Sequence, residues 1–306
     1  MSSAAGHFTD SVEQCVLGRQ AGSVDCAIQR YPIQSIFPAI SRSSHLVYQS
    51  EFPIFVISLP GDEKRRQPLV SALDELGLAH EISFGVDGRN GLPSQFEDQI
   101  DRRLAHIRNG RAFTDAEFAC ALSHQAIYAE IGKRGLPGAL VLEDDAVVDE
   151  RFGEFIRAGA YRKADMILLG HQRTFTRGTS FKEILPGVKG YQIASPPVRA
   201  DAYSLGRKTA ATIRRRSLPL SKNADWPCDI SRFDCLALSP KLVDWADRQS
   251  SIQKERLEAI RNAKPDRSAF FRRLFILDDW YRLIGRRRGV PLDGKDWKQT
   301  GGPKQE

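Results

Sequence analysis

Three consecutive acids, Glu143, Asp144 and Asp145, close an apolar run that reads GALVL. Like charges crowded at a strand end repel one another, so the cluster costs stability unless a cation or several donors compensate it. Carboxylates placed there could hold Mg²⁺ or Mn²⁺, hard cations that prefer oxygen ligands and commonly bridge to phosphate. The same letters also suit a solvated turn that begins the next helix near Asp149, and the triplet by itself does not choose. Arg65 and Arg66 follow a second apolar run, FPIFVISL, which contains Ser58. Arginine forks pair well with phosphate oxygens, although two arginines near a helix start more often face solvent. Asp87 in GVDGRNG is by itself a turn signal, with Gly88 supplying backbone freedom. His124 shares a helical stripe with Glu117 and with Cys120 or Ala121, a stripe that could face either core or cleft.

Such groups need elements to hold them. With 306 residues and 34.3 kDa, the chain has room for one large or two small cores. An apolar share of 41 % and a charged share of 27 % are those of an ordinary globular protein. From Phe52 onward, apolar strand-like runs alternate with helical patterns: FPIFVISL, a helix ending near Gly77, HEISFGV, a helix from about 115, GALVL, another helix, and DMILLG. That alternation predicts an α/β sheet flanked by helices. Thr114 and Glu117 form a T-x-x-E capping box that fixes the start of the helix carrying His124. Pro68 predicts that the first helix begins near residue 67, leaving both arginines in the preceding loop.

Residues 1–50 show little periodicity and read as an N-terminal extension, 51–245 as the main domain, and 246–306 as a basic, helical C-terminal region. In that last region Phe270, Leu274, Leu277, Tyr281 and Ile284 fall at helical spacing ahead of Arg286, Arg287 and Arg288. The pattern suits a terminal helix packed on the domain, and less often one docked on anionic headgroups. Five cysteines without a CxxC pair, and no apolar run near the roughly 20 residues of a membrane span, point to a reducing cytoplasm. A net charge of +7 suits acidic partners, among them nucleotide phosphates, nucleic acids and anionic membrane surfaces.

Order adds what single residues lack. The segments VISL…RR, VDGR, AEFACALSH and GALVLEDD resemble, in sequence and approximate spacing, the glycosyltransferase family 25 enzymes of lipopolysaccharide biosynthesis. DAYSLGRKTAATI and NADWPCDISRF extend the resemblance to about residue 235. One departure stands out: where the family reads G-E-x-G-C, this chain has Ala116, Glu117, Phe118, Ala119 and Cys120. Alanine favours the helix and leaves less room for close backbone approach by a ligand.

The resemblance implies a GT-A-like, Rossmann-like mixed sheet and an inverting transfer of a hexose from a nucleotide sugar, with UDP-galactose or UDP-glucose favoured. The acceptor it implies is a lipopolysaccharide core or another surface glycan. It also implies a divalent cation, Mn²⁺ or Mg²⁺, on Glu143 and Asp145, and places Ser58, Arg65, Arg66, Asp87 and Asp144 on the nucleotide side. Inversion requires a base, for which Asp229, then Asp225, then Glu117 are the candidates, while His124 could orient phosphate or acceptor. Such an enzyme would work in the cytoplasm, at the inner membrane if the basic helix docks there. The competing readings are a non-catalytic basic protein on anionic membrane or nucleic acid, and an inactive transferase-like module that binds nucleotide sugar.

Overall fold

The computed structural model describes residues 47–246, Arg261 and 276–292. The expected extension before Val47, and Phe270 and Leu274, lie outside the described residues.

The chain begins with strand β1 (Ile54–Ser58), helix α1 (Glu63–Glu75) and strand β2 (His80–Phe84). Helices α2 (Arg102–Asn109) and α3 (Asp115–Lys133) lead into the central strand β3 (Gly138–Glu143). The short β4 (Ala146–Val147), helix α4 (Glu150–Arg157) and β5 (Met166–Leu168) follow. A long hairpin, β6 (Phe175–Leu185) and β7 (Val188–Ser195), precedes β8 (Ala202–Gly206) and α5 (Arg207–Ser217). β9 (Cys235–Ser239), β10 (Asp244–Trp245), α6 (Leu277–Arg288) and β11 (Val290–Pro291) complete the described elements.

Nine strands form one mixed sheet in the order β11-β6-β7-β9-β5-β8-β3-β1-β2. β1 is parallel to both β2 and β3, and β5 is parallel to β9. β8 lies antiparallel between β3 and β5, with Leu142 opposite Ala202. Consequently the carboxyl ends of β1, β3 and β5 and the amino end of β8 meet on one sheet edge. This mixed sheet, flanked by helices, is the GT-A-like Rossmann arrangement, in which ligands sit beyond the carboxyl ends of the strands.

The period-two alternation of the strands sorts the core into two layers. Ile54, Val56, Leu140, Leu142 and Ile167 pack with Leu69 and Leu73 of α1 and with Phe152, Phe155 and Ile156 of α4. On the other face Phe55, Ala139, Val141, Met166 and Leu168 meet Ile127, Tyr128 and Ile131 of α3 and Ala210 and Ile213 of α5. With both faces covered, β3 is buried along its length until Glu143, where the acids begin.

The capping box at α3 is present in both directions, between Thr114 and Glu117. The first helix requires a correction. It begins at Glu63 and carries Pro68 inside it, so Arg65 and Arg66 are helical. Proline already has the helical φ, and the bond it omits belongs to the carbonyl of solvent-exposed Lys64, which water can satisfy.

The basic terminal helix packs on the domain. Gly285 of α6 lies so close to β7 that a Cβ there would stand 2.1 Å from the Ala194 carbonyl oxygen. Arg282 donates to the Trp226 carbonyl at 2.5 Å, and Arg232 lies over the Tyr281 ring. Among the described residues no helix is long and apolar enough to cross a membrane.

Candidate functional site at the carboxyl edge of the sheet

The acids leave β3 beside the end of β1 and the first turn of α1. Ser58 Oγ donates to Asp144 Oδ2 at 3.0 Å, and Arg65 Nε donates to Asp144 Oδ1 at 2.5 Å. Arg65 Nη2 donates to Asp145 Oδ2 at 3.0 Å. Arg65 reaches both acids because the helix starts early enough to hold it over the strand end. Asp145 Oδ1 is buried and has no hydrogen-bond partner among the described residues.

Electrostatics divide the triplet. Burial raises the Asp144 carboxyl above its ordinary value, against the hydrogen bonds and charge of Arg65 and Ser58. Burial and the neighbouring Glu143 charge push Asp145 up to about 6. Burial would raise Glu143 too, but the hydrogen bond from His124 and the charges of Arg199 and Arg65 outweigh it and leave the carboxyl lowered. Glu143 is thus the firm anion of the cluster, and Asp145 carries the uncompensated cost.

Behind Glu143 stands a buried polar row. His124 Nε2 lies 3.3 Å from Glu143 Oε1, His124 Nδ1 lies 2.7 Å from the Tyr203 hydroxyl, and that hydroxyl lies 2.9 Å from the Tyr128 hydroxyl. Among the described residues, ligand atoms of Cys120, His124 and Glu143 all fall within 4.8 Å of one another. Burial, reinforced by the surrounding acids, drives the Cys120 thiol well above its ordinary value, so it stays protonated and a poor metal ligand. The carboxylate oxygens of Glu143 and Asp145, one of them orphaned in a buried position, fit a hard divalent cation better than this sulfur-containing set does.

A solvent-open cleft lies here, and its walls include Ser58, Arg65, Glu143 and Asp144 together with Gly88, Arg89, Cys120 and Ser123. Gly88 sits hard against the start of α3, where a Cβ would stand 2.6 Å from the Asp115 carbonyl oxygen and 2.8 Å from the Ala116 Cα. Asp87 turns its carboxylate onto Arg89, which also reaches Asp62. It is therefore Arg89, not Asp87, that lines the cleft.

Other expected site residues lie elsewhere. Arg66 donates to Glu63 and the Leu59 carbonyl, with its guanidinium over Phe84, and does not line the cleft. Glu117 is buried in a two-pronged pair with Arg111 at 2.5 and 2.7 Å while it also caps α3. Asp229 accepts from the backbone and hydroxyl of Ser231 as the cap of a short 3₁₀ turn. Asp225 lies near enough to Cys120 for its charge to help raise that thiol, after burial and Glu143, and its Oδ2 is 3.5 Å from Asn223 Nδ2.

Three neighbours of the acids carry little sequence signal. Asp201, just before β8, accepts the Glu143 backbone N–H on its carbonyl, and its buried Oδ1 has no partner. Arg199 holds the other Asp201 oxygen at 2.9 Å, adopts φ of 76°, and stacks 3.9 Å from the Trp245 ring centre. Trp245 is tied to the strand end because β10 pairs with β4 and the Ala246 N–H donates to the Asp145 carbonyl. Only the RADAY letters before a strand mark this wall in sequence, and a left-handed arginine leaves no trace there.

Comparison with known proteins points the same way. Residues 52–186 match the model of glycosyltransferase family 25, described as an LPS biosynthesis protein. Similar proteins include the human inactive glycosyltransferase 25 family member 3, 25 % identical over 280 residues that cover 72 % of this chain and 47 % of that protein. A glycosyltransferase 25 family member of Drosophila pseudoobscura pseudoobscura is 31 % identical over 177 residues, 57 % of this chain and 26 % of that protein. Procollagen galactosyltransferase 1 of Danio rerio is 37 % identical over 95 residues, 30 % of this chain and 16 % of that protein. The chain therefore spans less than half the length of these relatives. The matched segment holds the acid-ended strand, the capped helix and the arginine that spans the acids, and in it the chain carries a domain of glycosyltransferase family 25.

Proposed function

We propose that this chain is an active, inverting glycosyltransferase that moves a hexose from a nucleotide-sugar donor to a lipopolysaccharide core or another surface glycan. The observation that carries the reading is the buried, unpartnered Oδ1 of Asp145 beside ionised Glu143 at the carboxyl edge of the sheet. A natural chain leaves such an oxygen unpaired where something else completes it. Glu143 and Asp145 would hold a divalent cation, Mn²⁺ or Mg²⁺, whose charge would stabilise the departing diphosphate.

The chain's own residues do the rest. Arg65 and Arg89 line the cleft and supply fixed positive charge for phosphate oxygens. Ser58 and Arg65 keep Asp144 in place. The acceptor hydroxyl oxygen bonds to the anomeric carbon from the face opposite the diphosphate, whose oxygen leaves with the bonding electron pair. The hydroxyl proton passes to a carboxylate, and Asp225 is the base we favour. Its charge is felt at the Cys120 thiol on the cleft wall, whereas the carboxylates of Asp229 and Glu117 meet Ser231 and Arg111. UDP-galactose is the favoured donor, a choice supported by the galactosyltransferase among the similar proteins, with UDP-glucose next.

A second reading also has a specific observation behind it. Similar proteins in human and mouse bear the name inactive glycosyltransferase 25 family member 3, and Arg65 already offsets part of the acidic charge that a cation would neutralise. Under that reading the cleft binds nucleotide sugar without turnover. Purified protein incubated with a panel of UDP-hexoses and glycan acceptors, with and without Mn²⁺, separates the two. Metal-dependent release of UDP with glycan transfer is expected, and saturable donor binding without release would establish the inactive reading.

A further inference from the structure

The row from Tyr128 to Glu143 has a direction, and that direction decides what His124 can do. The buried Tyr128 hydroxyl donates to the Tyr203 hydroxyl at 2.9 Å, its one partner among the described residues. Tyr203 donates its own hydrogen to His124 Nδ1 at 2.7 Å, so Nδ1 is bare. The ring proton then sits on Nε2, 3.3 Å from Glu143 Oε1, where the carboxylate can accept it. The opposite direction fails at the far end. Its last proton would sit on the Tyr128 hydroxyl, which among the described residues has no partner besides Tyr203 and lies in a residue only 3 % exposed. An unsatisfied buried hydroxyl is costly, whereas the forward direction satisfies every member of the row.

We propose that Tyr128 and Tyr203 fix His124 as the Nε2–H tautomer, making it a positioning residue that holds the Glu143 carboxylate rather than a ligand of any ion bound there. The proposal is independent of the convergence of Cys120, His124 and Glu143, which by distance alone would admit histidine as a ligand. A donor that bonds to a ligating carboxylate from behind orients it and commonly carries tenfold or more in metal affinity. The functional half rests on the reading in which Glu143 binds a cation. The tautomer itself does not.

The test is a long-range proton–nitrogen spectrum of the full chain labelled with ¹⁵N-histidine, without metal or donor, with His124 assigned by the peak that His124→Gln removes. Wild-type protein is expected to show His124 neutral and protonated at Nε2, and a proton at Nδ1 instead would overturn the proposal. In Tyr203→Phe the Nδ1 resonance should move toward that of an unbonded ring nitrogen while the Nε2 proton stays. In Tyr128→Phe the His124 resonances should hardly move. An Nδ1 resonance unaffected by Tyr203→Phe contradicts the assignment. Added Mg²⁺ should leave the Nε2 proton in place, and its loss on addition would make His124 a ligand. For the functional half, Mn²⁺ affinity read by electron paramagnetic resonance should fall about tenfold or more in His124→Ala. Wild-type protein that bound no Mn²⁺ would overturn the metal reading and with it the functional half, while the tautomer is decided by the spectra alone.

Discussion

Arg65 lays one nitrogen on Asp144 at 2.5 Å and another on Asp145 at 3.0 Å, and the second oxygen of Asp145 is left buried and unpaired. The arginine therefore compensates the acid cluster only in part, and the remainder governs how the protein should respond to pH, metal and mutation.

The first consequence is a pH dependence. In the unfolded chain Asp145 ionises near the ordinary aspartate value of 3.8, and in the fold at about 6. The folded state keeps the proton longer, so this group's contribution is fully present below the lower value and lost as pH rises through about 6, on the order of 3 kcal/mol in all. In the presence of a chelator, Asp145→Asn should raise the melting temperature more at about pH 7.5 than at about pH 5. Thermal melts of both proteins at the two pH values measure the difference, and equal gains would contradict the origin assigned to the shift.

Removing the arginine should do the reverse. Arg65→Ala leaves Asp144 and Asp145 without their shared partner, and because the guanidinium is partly exposed the expected loss is about 1–3 kcal/mol rather than that of a deeply buried pair. Urea denaturation measures it. Added Mn²⁺ should restore part of the loss.

Glu117 and Asp225 should separate stability from turnover. Glu117→Ala breaks a buried pair with Arg111 and the cap of α3, so unfolding should become easier by about 3–5 kcal/mol. Asp225→Asn keeps the side chain's size, so it should cost less stability than Glu117→Ala and lower kcat by about 10²- to 10⁴-fold if this carboxylate takes the acceptor proton. Denaturation curves and steady-state rates on the two variants, normalised to folded protein, check the contrast.

Gly88 should tolerate no side chain. A Cβ there meets the backbone of Asp115 and Ala116 below 3.0 Å, and backbone cannot swing aside as a side chain can. Gly88→Ala should cost about 1–3 kcal/mol through overpacking and weaken donor binding by displacing Arg89 from the cleft wall. Melting temperature and a donor titration read the two effects.

Some of this was legible in the letters and some was not, for physical reasons. Thr114 and Glu117 sit three residues apart and specify a local motif, so the start of α3 could be read directly. The run into Glu143 marked a buried strand with a charged end, because burial on both sheet faces demands continuous apolar residues. Pro68 misled the placement of α1, since proline's missing donor matters only where its partner carbonyl is buried. Asp229 and Asp225 look alike four residues apart, yet only the folded chain shows that one caps a local turn while the charge of the other is felt at Cys120. The wall built by Arg199, Asp201 and Trp245 depends on a strand inserted antiparallel between β3 and β5, a pairing with no local signature. The Tyr128–Tyr203–His124 row joins residues up to 79 positions apart and was equally out of reach.

The most direct test of the acid edge is UDP release from a UDP-hexose in saturating Mn²⁺, compared between wild-type protein and the Glu143→Ala/Asp145→Ala variant, with chelator controls. The account predicts metal-dependent release by the wild type and a loss of at least about 10³-fold in the variant, as expected when the group that stabilises a leaving charge is removed. Release at the wild-type rate by the folded variant would contradict it.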